Sequence, residues 1–248
     1  MQDTVIKHLI ALNSKFYQTF AVPFSATRMR IQPGVRRILK NIRGDEQILD
    51  LGCGNGEIYS ALRNISFHGL YTGIDSNVTF LTIAERKTQN LEIPDKDNLL
   101  LADLTEPTWV SKLPKTHYDL IFAFAVIHHI PSQFLRKNLF HQIHDLLLQT
   151  SGSIRSIFFH SEWQFLNNPR FYSRIVPWNT IGLLENDIEP GDYLIDWRFE
   201  GYGIRYVHHF EENELEQLAH ENGFQIVDSF YSDGEGGKLS LYQSWILE

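Results

Sequence analysis

Cysteine is almost missing from this 248-residue chain: Cys53 stands alone, which excludes an internal disulfide. Long apolar runs are missing too. The longest, at 120–127, has eight residues, well short of the roughly 20 that a membrane-spanning helix needs. There is no internal repeat and no low-complexity tract, and the first residues lack the basic, apolar, small-residue order of an export signal. A cytoplasmic location is the expectation. Positive charge is the minority sign: 22 Lys and Arg face 30 Asp and Glu, for a formal charge of −8. That balance argues against the whole surface being a nucleic-acid platform. One stretch departs from it. Between positions 28 and 43 stand Arg28, Arg30, Arg36, Arg37, Lys40 and Arg43 with no acidic residue, either a solvated helix face or a stripe able to meet phosphates.

What is present is a globular composition, 43% hydrophobic and 21% charged, arranged in alternating periods. Residues 1–43 carry apolar residues at helical spacing, and Gly44-Asp45 ends that pattern. Short apolar strands are then predicted at 47–51, 70–75, 98–103, 118–125 and 153–159. Helices are predicted between them at 55–64, 78–87 and 133–149. Near-continuous apolar strands alternating with helices predict a parallel sheet covered on both faces. Residues 160–205, rich in Trp, Asn, Pro and Tyr, break the rhythm and read as an insertion over the strand ends. A helix at 211–222 and strands at 224–231 and 239–247, joined by a long turn at 232–237, complete the α/β chain.

The strongest chemical signal is Asp50-Leu51-Gly52-Cys53-Gly54-Asn55-Gly56. Gly52, Gly54 and Gly56 permit a tight strand-to-helix turn whose backbone can approach a ligand, and the helix beyond offers free N–H groups and a positive dipole end. A phosphate suits that place, and so does the methionine carboxylate of S-adenosylmethionine. Asp50 is placed to hold the ammonium group of that ligand and to disfavour a pyrophosphate. Asp75, with Ser76 after it, ends the second strand, where an acid can accept both ribose hydroxyls. Asp103, between Ala102 and Leu104, ends the third, where it can accept from an adenine amino group. Carboxylates are costly to gather at one sheet edge unless a ligand uses them. A nicotinamide oxidoreductase is the weaker fit, because Glu57 stands where the dinucleotide fingerprint has its last glycine.

These residues resemble the class I S-adenosylmethionine-dependent methyltransferases. The glycine run looks like their first motif, 71–75 their acidic second, Ala102-Asp103 their adenine motif, and 118–125, with Phe124, their fourth strand. The resemblance implies a Rossmann-like, seven-stranded, mostly parallel sheet whose last strand, here 239–247, runs antiparallel between the fifth and sixth. It divides the chain into an N-terminal helical cap (1–44), a cofactor-binding core (45–160), a substrate-side insertion (161–205) and a C-terminal helix with two strands (206–248). A narrower likeness lies outside the core, in 24–28, 125–130, 191–194, Trp197, 205–210 and 214–218. It is similar to the tRNA wobble-uridine methyltransferases that esterify the carboxymethyl group of 5-carboxymethyluridine. Asp196, Val207 and the short turn at 150–152 depart from that pattern.

By resemblance the acceptor is a carboxylate on tRNA or a related nucleoside, and a small zinc-binding activator protein is an implied partner. The alternative acceptor is a small metabolite or natural product with an acid or hydroxyl group. Arg205 or Arg28 is expected to hold the acceptor carboxylate, with Tyr206, Trp197 and His208 shaping the pocket and His129 at its mouth. Plainer roles stand beside these. Arg28 could meet the methionine carboxylate or a helix terminus, Arg205 could pair with Glu200, and His128 and His129 could be packing residues. His141 and His144 lack a third ligand, and no metal site is expected.

Overall fold

Two helices open the chain in the computed structural model, whose described residues are 1–65, 67–88, 98–147 and 156–248. Helix α1 (Asp3–Ala26) contains Pro23 and bends at Phe20, which has non-helical angles of φ −110° and ψ 16°. Proline has no N–H for the i−4 carbonyl and its ring crowds the preceding turn, so the bend has a local cause. Helix α2 (Pro33–Leu39) begins on a proline, whose fixed φ suits a first turn.

The core follows as β1 (Gln47–Leu51), α3 (Glu57–Asn64), β2 (Leu70–Asp75), α4 (Val78–Thr88), β3 (Asn98–Leu101), β4 (Leu120–Phe124), α5 (Gln133–Leu146) and β5 (Ile157–Trp163). Ser132 caps α5 by accepting from the Leu135 N–H at 3.3 Å. An added unit then contains the short α6 (Pro169–Tyr172) and the strands β6 (Ile175–Val176), β7 (Asp192–Trp197) and β8 (Gly203–His208). The chain finishes with α7 (Glu212–Glu221), β9 (Phe224–Ser232) and β10 (Ser240–Leu247).

Seven strands form one sheet in the order β3-β2-β1-β4-β5-β10-β9. Its first five are parallel, and β10 runs antiparallel to both β5 and β9. This is the Rossmann-like architecture expected from the sequence. Alternate residues of β1 face opposite layers. Leu49 joins Ile121, Phe140, Phe158 and Trp245 under α5 and α7, whereas Ile48 joins Val35, Tyr59, Tyr71 and Tyr242 under α2 and α3. Burying each such side chain contributes about 1.5–3 kcal/mol. The strand order reverses between β1 and β4, which opens a crevice at their carboxyl ends.

The insertion is more regular than its composition suggests. β6, β7 and β8 make a three-stranded antiparallel sheet, and α1 lies against β8. Of the expected fifth strand at 153–159, residues 153–155 lie outside the described residues, as do the turn at 150–152 and residues 148–149 of the expected helix. No helix among the described residues is long and apolar enough to cross a membrane.

Candidate functional site

A cavity of about 740 Å³ sits over the strand ends, walled by the glycine turn, α1 and the added unit. Its two halves differ in charge.

In the first half, Gly52 and Gly54 adopt left-handed angles, φ 65° and 54°. A Cβ on Gly52 would stand 2.6 Å from Cγ2 of Val126. The turn is fastened from beneath: the Cys53 N–H donates to the Ile74 carbonyl at 2.9 Å, and the Gly54 N–H donates to Oδ2 of Asp75 at 3.0 Å. Oδ1 of Asp75 accepts from the Asn77 N–H at 2.8 Å. Burial raises the Asp75 carboxyl to about 6, against the opposing pull of those N–H groups. Asp103 lies on the same wall, its Oδ1 accepting from the N–H and hydroxyl of Thr105 at 2.9 and 2.7 Å. Ser76, Ala102, Leu104, Phe124 and Cys53 also line this half.

Two residues expected there do not reach the wall. Asp50 is 1% exposed behind the turn, accepting from the Tyr71 hydroxyl at 2.6 Å. Burial raises its carboxyl to about 7, with the Tyr71 bond acting the other way. Its side chain supports the turn from below and makes no approach to the cavity. Gly56 (φ 73°) also stands off the wall. A Cβ there would meet that of Ala84 at 2.7 Å, so its glycine serves the close approach of α3 to α4.

The second half is lined by Arg28, Arg30, Arg170, Arg174, Arg198 and Arg205. Arg198 forks onto Oδ2 of Asp196 at 2.8 and 2.6 Å, so the Asp196 departure supplies its partner. None of the other five has a carboxylate within salt-bridge distance among the described residues. Arg205 is only 5% exposed. Its guanidinium lies 5.3, 5.7 and 5.0 Å from the ring centres of Phe16, Phe24 and Trp163. One N–H donates to the Tyr17 hydroxyl oxygen at 3.2 Å, and Nε has no partner. The expected alternative pairing with Glu200 is absent.

Trp197 lines the cavity beside Phe24, ring centres 5.6 Å apart. His129 also lies on the wall, 2.7 Å from the Tyr17 hydroxyl through Nε2 and 3.3 Å from the Tyr206 carbonyl through Nδ1. Burial, helped by the charge of Arg205, lowers its pKa to about 3, so the imidazole is neutral. His128 is buried next to it, 3.1 Å from Glu162. Arg28 extends from the end of α1 over the Phe24 ring. Asn55 of the glycine turn donates to the Ser25 hydroxyl and the Arg28 carbonyl at 2.8 and 3.3 Å, which ties that segment to the cofactor half.

Tyr206 and His208 are corrections. Both point away from the cavity, because β8 alternates: Arg205 and Val207 face one side, Tyr206 and His208 the other. Tyr206 donates to Asp192 at 2.7 Å. His208 bridges Asp192 and Glu214 at 2.7 and 3.0 Å. The basic stripe at 28–43 is also divided: Arg37 pairs with Asp228 and covers Phe230, Arg43 pairs with Asp45, and only Arg28 and Arg30 reach the cavity. Tyr17, Asn13, Arg170 and Arg174 escaped the sequence reading. The one signal for the first two was a polar i, i+4 pair within the apolar periodicity of α1.

A switch-point crevice with a glycine turn on one side and strand-tip acids beside it, on a sheet with this antiparallel seventh strand, is the class I methyltransferase arrangement. Residues 25–229 match the family described as a methyltransferase domain, and the chain belongs to that family. The expected enzyme class and its dependence on S-adenosylmethionine stand with it. A tRNA (carboxymethyluridine(34)-5-O)-methyltransferase of Schizosaccharomyces pombe is 23% identical, with 87% of this chain and 89% of that protein covered. Among solved structures, a SAM-dependent methyltransferase of Methanosarcina mazei superposes with a TM-score of 0.64 at 19% identity, covering 89% of this chain and all of that one. The magnesium protoporphyrin IX methyltransferase of Synechocystis PCC 6803 with bound SAH has a TM-score of 0.56 at 16% identity, covering 86% and 79%.

Proposed function

We propose that the protein O-methylates a carboxylate, with the carboxymethyl group of a tRNA wobble uridine as the acceptor. Arg205 carries this reading. Removing a guanidinium from water is costly, and here it is held among aromatic faces on a cavity wall where, among the described residues, a neutral phenol is its one hydrogen-bond partner. An incoming anion would complete it.

The cofactor half fits S-adenosylmethionine: Gly52 and Gly54 let the backbone approach its methionine end, while Asp75 and Asp103 are acceptors for ribose hydroxyls and an adenine amino group. When bound, the cofactor supplies an electrophilic methyl group on a sulfonium. Around it the protein has little proton chemistry to do, since a carboxylate of ordinary pKa near 4 is already ionised at pH 7. His129, its pKa lowered to about 3, is too weak a base to be poised for proton abstraction near neutral pH, in keeping with a site that needs none. Arg205 holds and orients the acceptor by charge-assisted hydrogen bonds, and Trp197, Phe24 and Phe80 keep water from the reacting atoms.

The named activity of the S. pombe relative supports the tRNA acceptor, as do Arg170 and Arg174, which flank Phe171 at the cavity edge in the manner of a basic and aromatic nucleic-acid surface. The same resemblance proposes cytoplasmic action with a small activator partner. The formal charge of −8 and the neutralised Arg198 favour a second reading, a small carboxylic acid as acceptor. Methyl-labelled S-adenosylmethionine offered with undermodified tRNA and, separately, with small acids tests both. The expected product is label in tRNA that mild alkali releases as methanol, the mark of an ester. Label confined to small acids selects the second reading; alkali-stable label, or none, defeats the carboxylate acceptor.

A further inference from the structure

We infer that Tyr17 is a positioning residue, holding Arg205 and His129 in a one-way chain of hydrogen bonds so that the guanidinium faces the acceptor with its charge unspent. The inference rests on the proposed carboxylate acceptor and adds a residue to that site.

The direction of the chain follows from its two ends. Arg205 has only N–H groups, so at 3.2 Å it donates and the Tyr17 oxygen accepts. At the other end the Tyr206 carbonyl is an acceptor only, so His129 Nδ1, 3.3 Å away, carries the ring proton. His129 Nε2 is then a bare acceptor, and the Tyr17 O–H, 2.7 Å distant, donates to it. In this tautomer each link has one direction: Arg205 donates to the Tyr17 oxygen, the Tyr17 O–H to His129 Nε2, and His129 Nδ1–H to the Tyr206 carbonyl.

Helix α1 is held in place to serve this chain. Asn13, one turn before Tyr17, donates to the carbonyls of His129 and Tyr206 at 3.2 and 3.1 Å and accepts from the Tyr206 N–H at 2.8 Å. The Tyr17 ring packs edge-on against Phe16, Phe24 and His129. Burial raises the Tyr17 hydroxyl above its ordinary value against the opposing pull of Arg205, so it stays a phenol at neutral pH. The choice of a neutral oxygen matters. An aspartate in its place would fix Arg205 equally well and neutralise it, leaving nothing for an anionic acceptor. A hydrophobic residue would leave the guanidinium free to turn.

The test measures binding to full-length protein in two separate titrations, S-adenosylhomocysteine first and then 5-carboxymethyluridine to the loaded protein, in wild type, Y17F and R205A. We expect Y17F to weaken 5-carboxymethyluridine roughly tenfold, the scale of one lost hydrogen bond to a charged group, and to leave S-adenosylhomocysteine within about twofold. In protein labelled with 15N at histidine, Y17F should move the His129 Nε2 resonance to that of an unbonded ring nitrogen, a signature that a packing defect elsewhere would not produce. H129A, which strips away the acceptor of the Tyr17 proton, should weaken the nucleoside with the same sparing of S-adenosylhomocysteine, and it decides the matter should Y17F not fold. Wild-type nucleoside affinity in Y17F, an equal loss of both ligands, or an unmoved Nε2 resonance overturns the inference. If R205A retains full nucleoside affinity, or wild type has none, the carboxylate acceptor itself fails and the inference with it. If R205A loses affinity while Y17F keeps it, only the role of Tyr17 fails.

Discussion

The two halves of the cleft solve opposite electrostatic problems. In the cofactor half, the Asp75 carboxylate accepts from the N–H groups of Gly54 in the glycine turn and of Asn77 in its own turn, and Asp103 accepts from the N–H and hydroxyl of Thr105. In the proposed acceptor half, Arg205 is buried beside aromatic rings, and a phenol is its sole hydrogen-bond partner among the described residues. The first half keeps its carboxylates occupied by hydrogen-bond donors. The second leaves charge unmatched among the described residues, and the proposed anionic acceptor would supply the counter-charge. The difference teaches that the acids legible in the sequence point to the proposed cofactor side, whereas the proposed acceptor side rests on a cation with no carboxylate partner among the described residues.

The sharpest way to break this contrast is Arg205→Ala. Truncating one partner of a buried charged pair costs about 2–5 kcal/mol, so kcat/KM for the acceptor should fall roughly 30- to 4,000-fold with S-adenosylmethionine affinity unchanged in a binding titration. Equal loss of both would merge the halves into one site. Asp75→Ala is the mirror experiment. Losing a charge-assisted acceptor costs about 1.5–3 kcal/mol, so cofactor affinity should fall roughly 10- to 150-fold while acceptor binding to any loaded protein is retained.

A pH titration sharpens the contrast without mutation. Asp75 is raised to about 6, so its carboxylate is lost as pH falls through that value, and cofactor affinity should drop there. Stability of the ligand-free protein has opposing contributions. Asp75 and Asp50 hold protons more tightly folded than unfolded and gain as pH falls from about 7 toward 4, whereas the buried His129 and His160, lowered to about 3, lose over the same range. The ligand-induced rise in Tm, measured against the ligand-free protein at each pH, should therefore shrink below pH 6; a constant ligand effect would contradict the assignment of Asp75. The smallest functional effect is expected at His208→Gln. Burial opposes the charge on His208, but Asp192 and Glu214 outweigh it and raise the pKa. Its stabilisation is full below the ordinary value of about 6.5 and fades as pH rises through the raised folded value. The variant should lose about 1–3 kcal/mol of stability below that range, with acceptor and cofactor constants unchanged.

Sequence legibility followed locality. The glycine turn, Asp75 and Asp103 declared themselves because each sits at a strand tip with its ligand-facing geometry set within a few residues. Asp50 shared their spacing but lies within β1, where the pleat turns its side chain under the turn. Arg205 and Tyr206 were grouped as one cluster because residues 160–205 showed no strand period; once β8 is known, alternation separates them. Tyr17 meets Arg205 across 188 residues of chain, and nothing in either neighbourhood announces the meeting.

The bend in α1 has a consequence for how the two ligands communicate. Before it, Asn13 and Tyr17 are fastened to β8 and His129; after it, Ser25 and Arg28 are fastened to Asn55 beside the glycine turn. One continuous backbone thus adjoins both proposed subsites, so a displacement of this segment on binding one ligand would be felt at the other. Thermodynamic linkage then requires reciprocity: whatever factor the cofactor contributes to acceptor affinity, the acceptor must return to the cofactor.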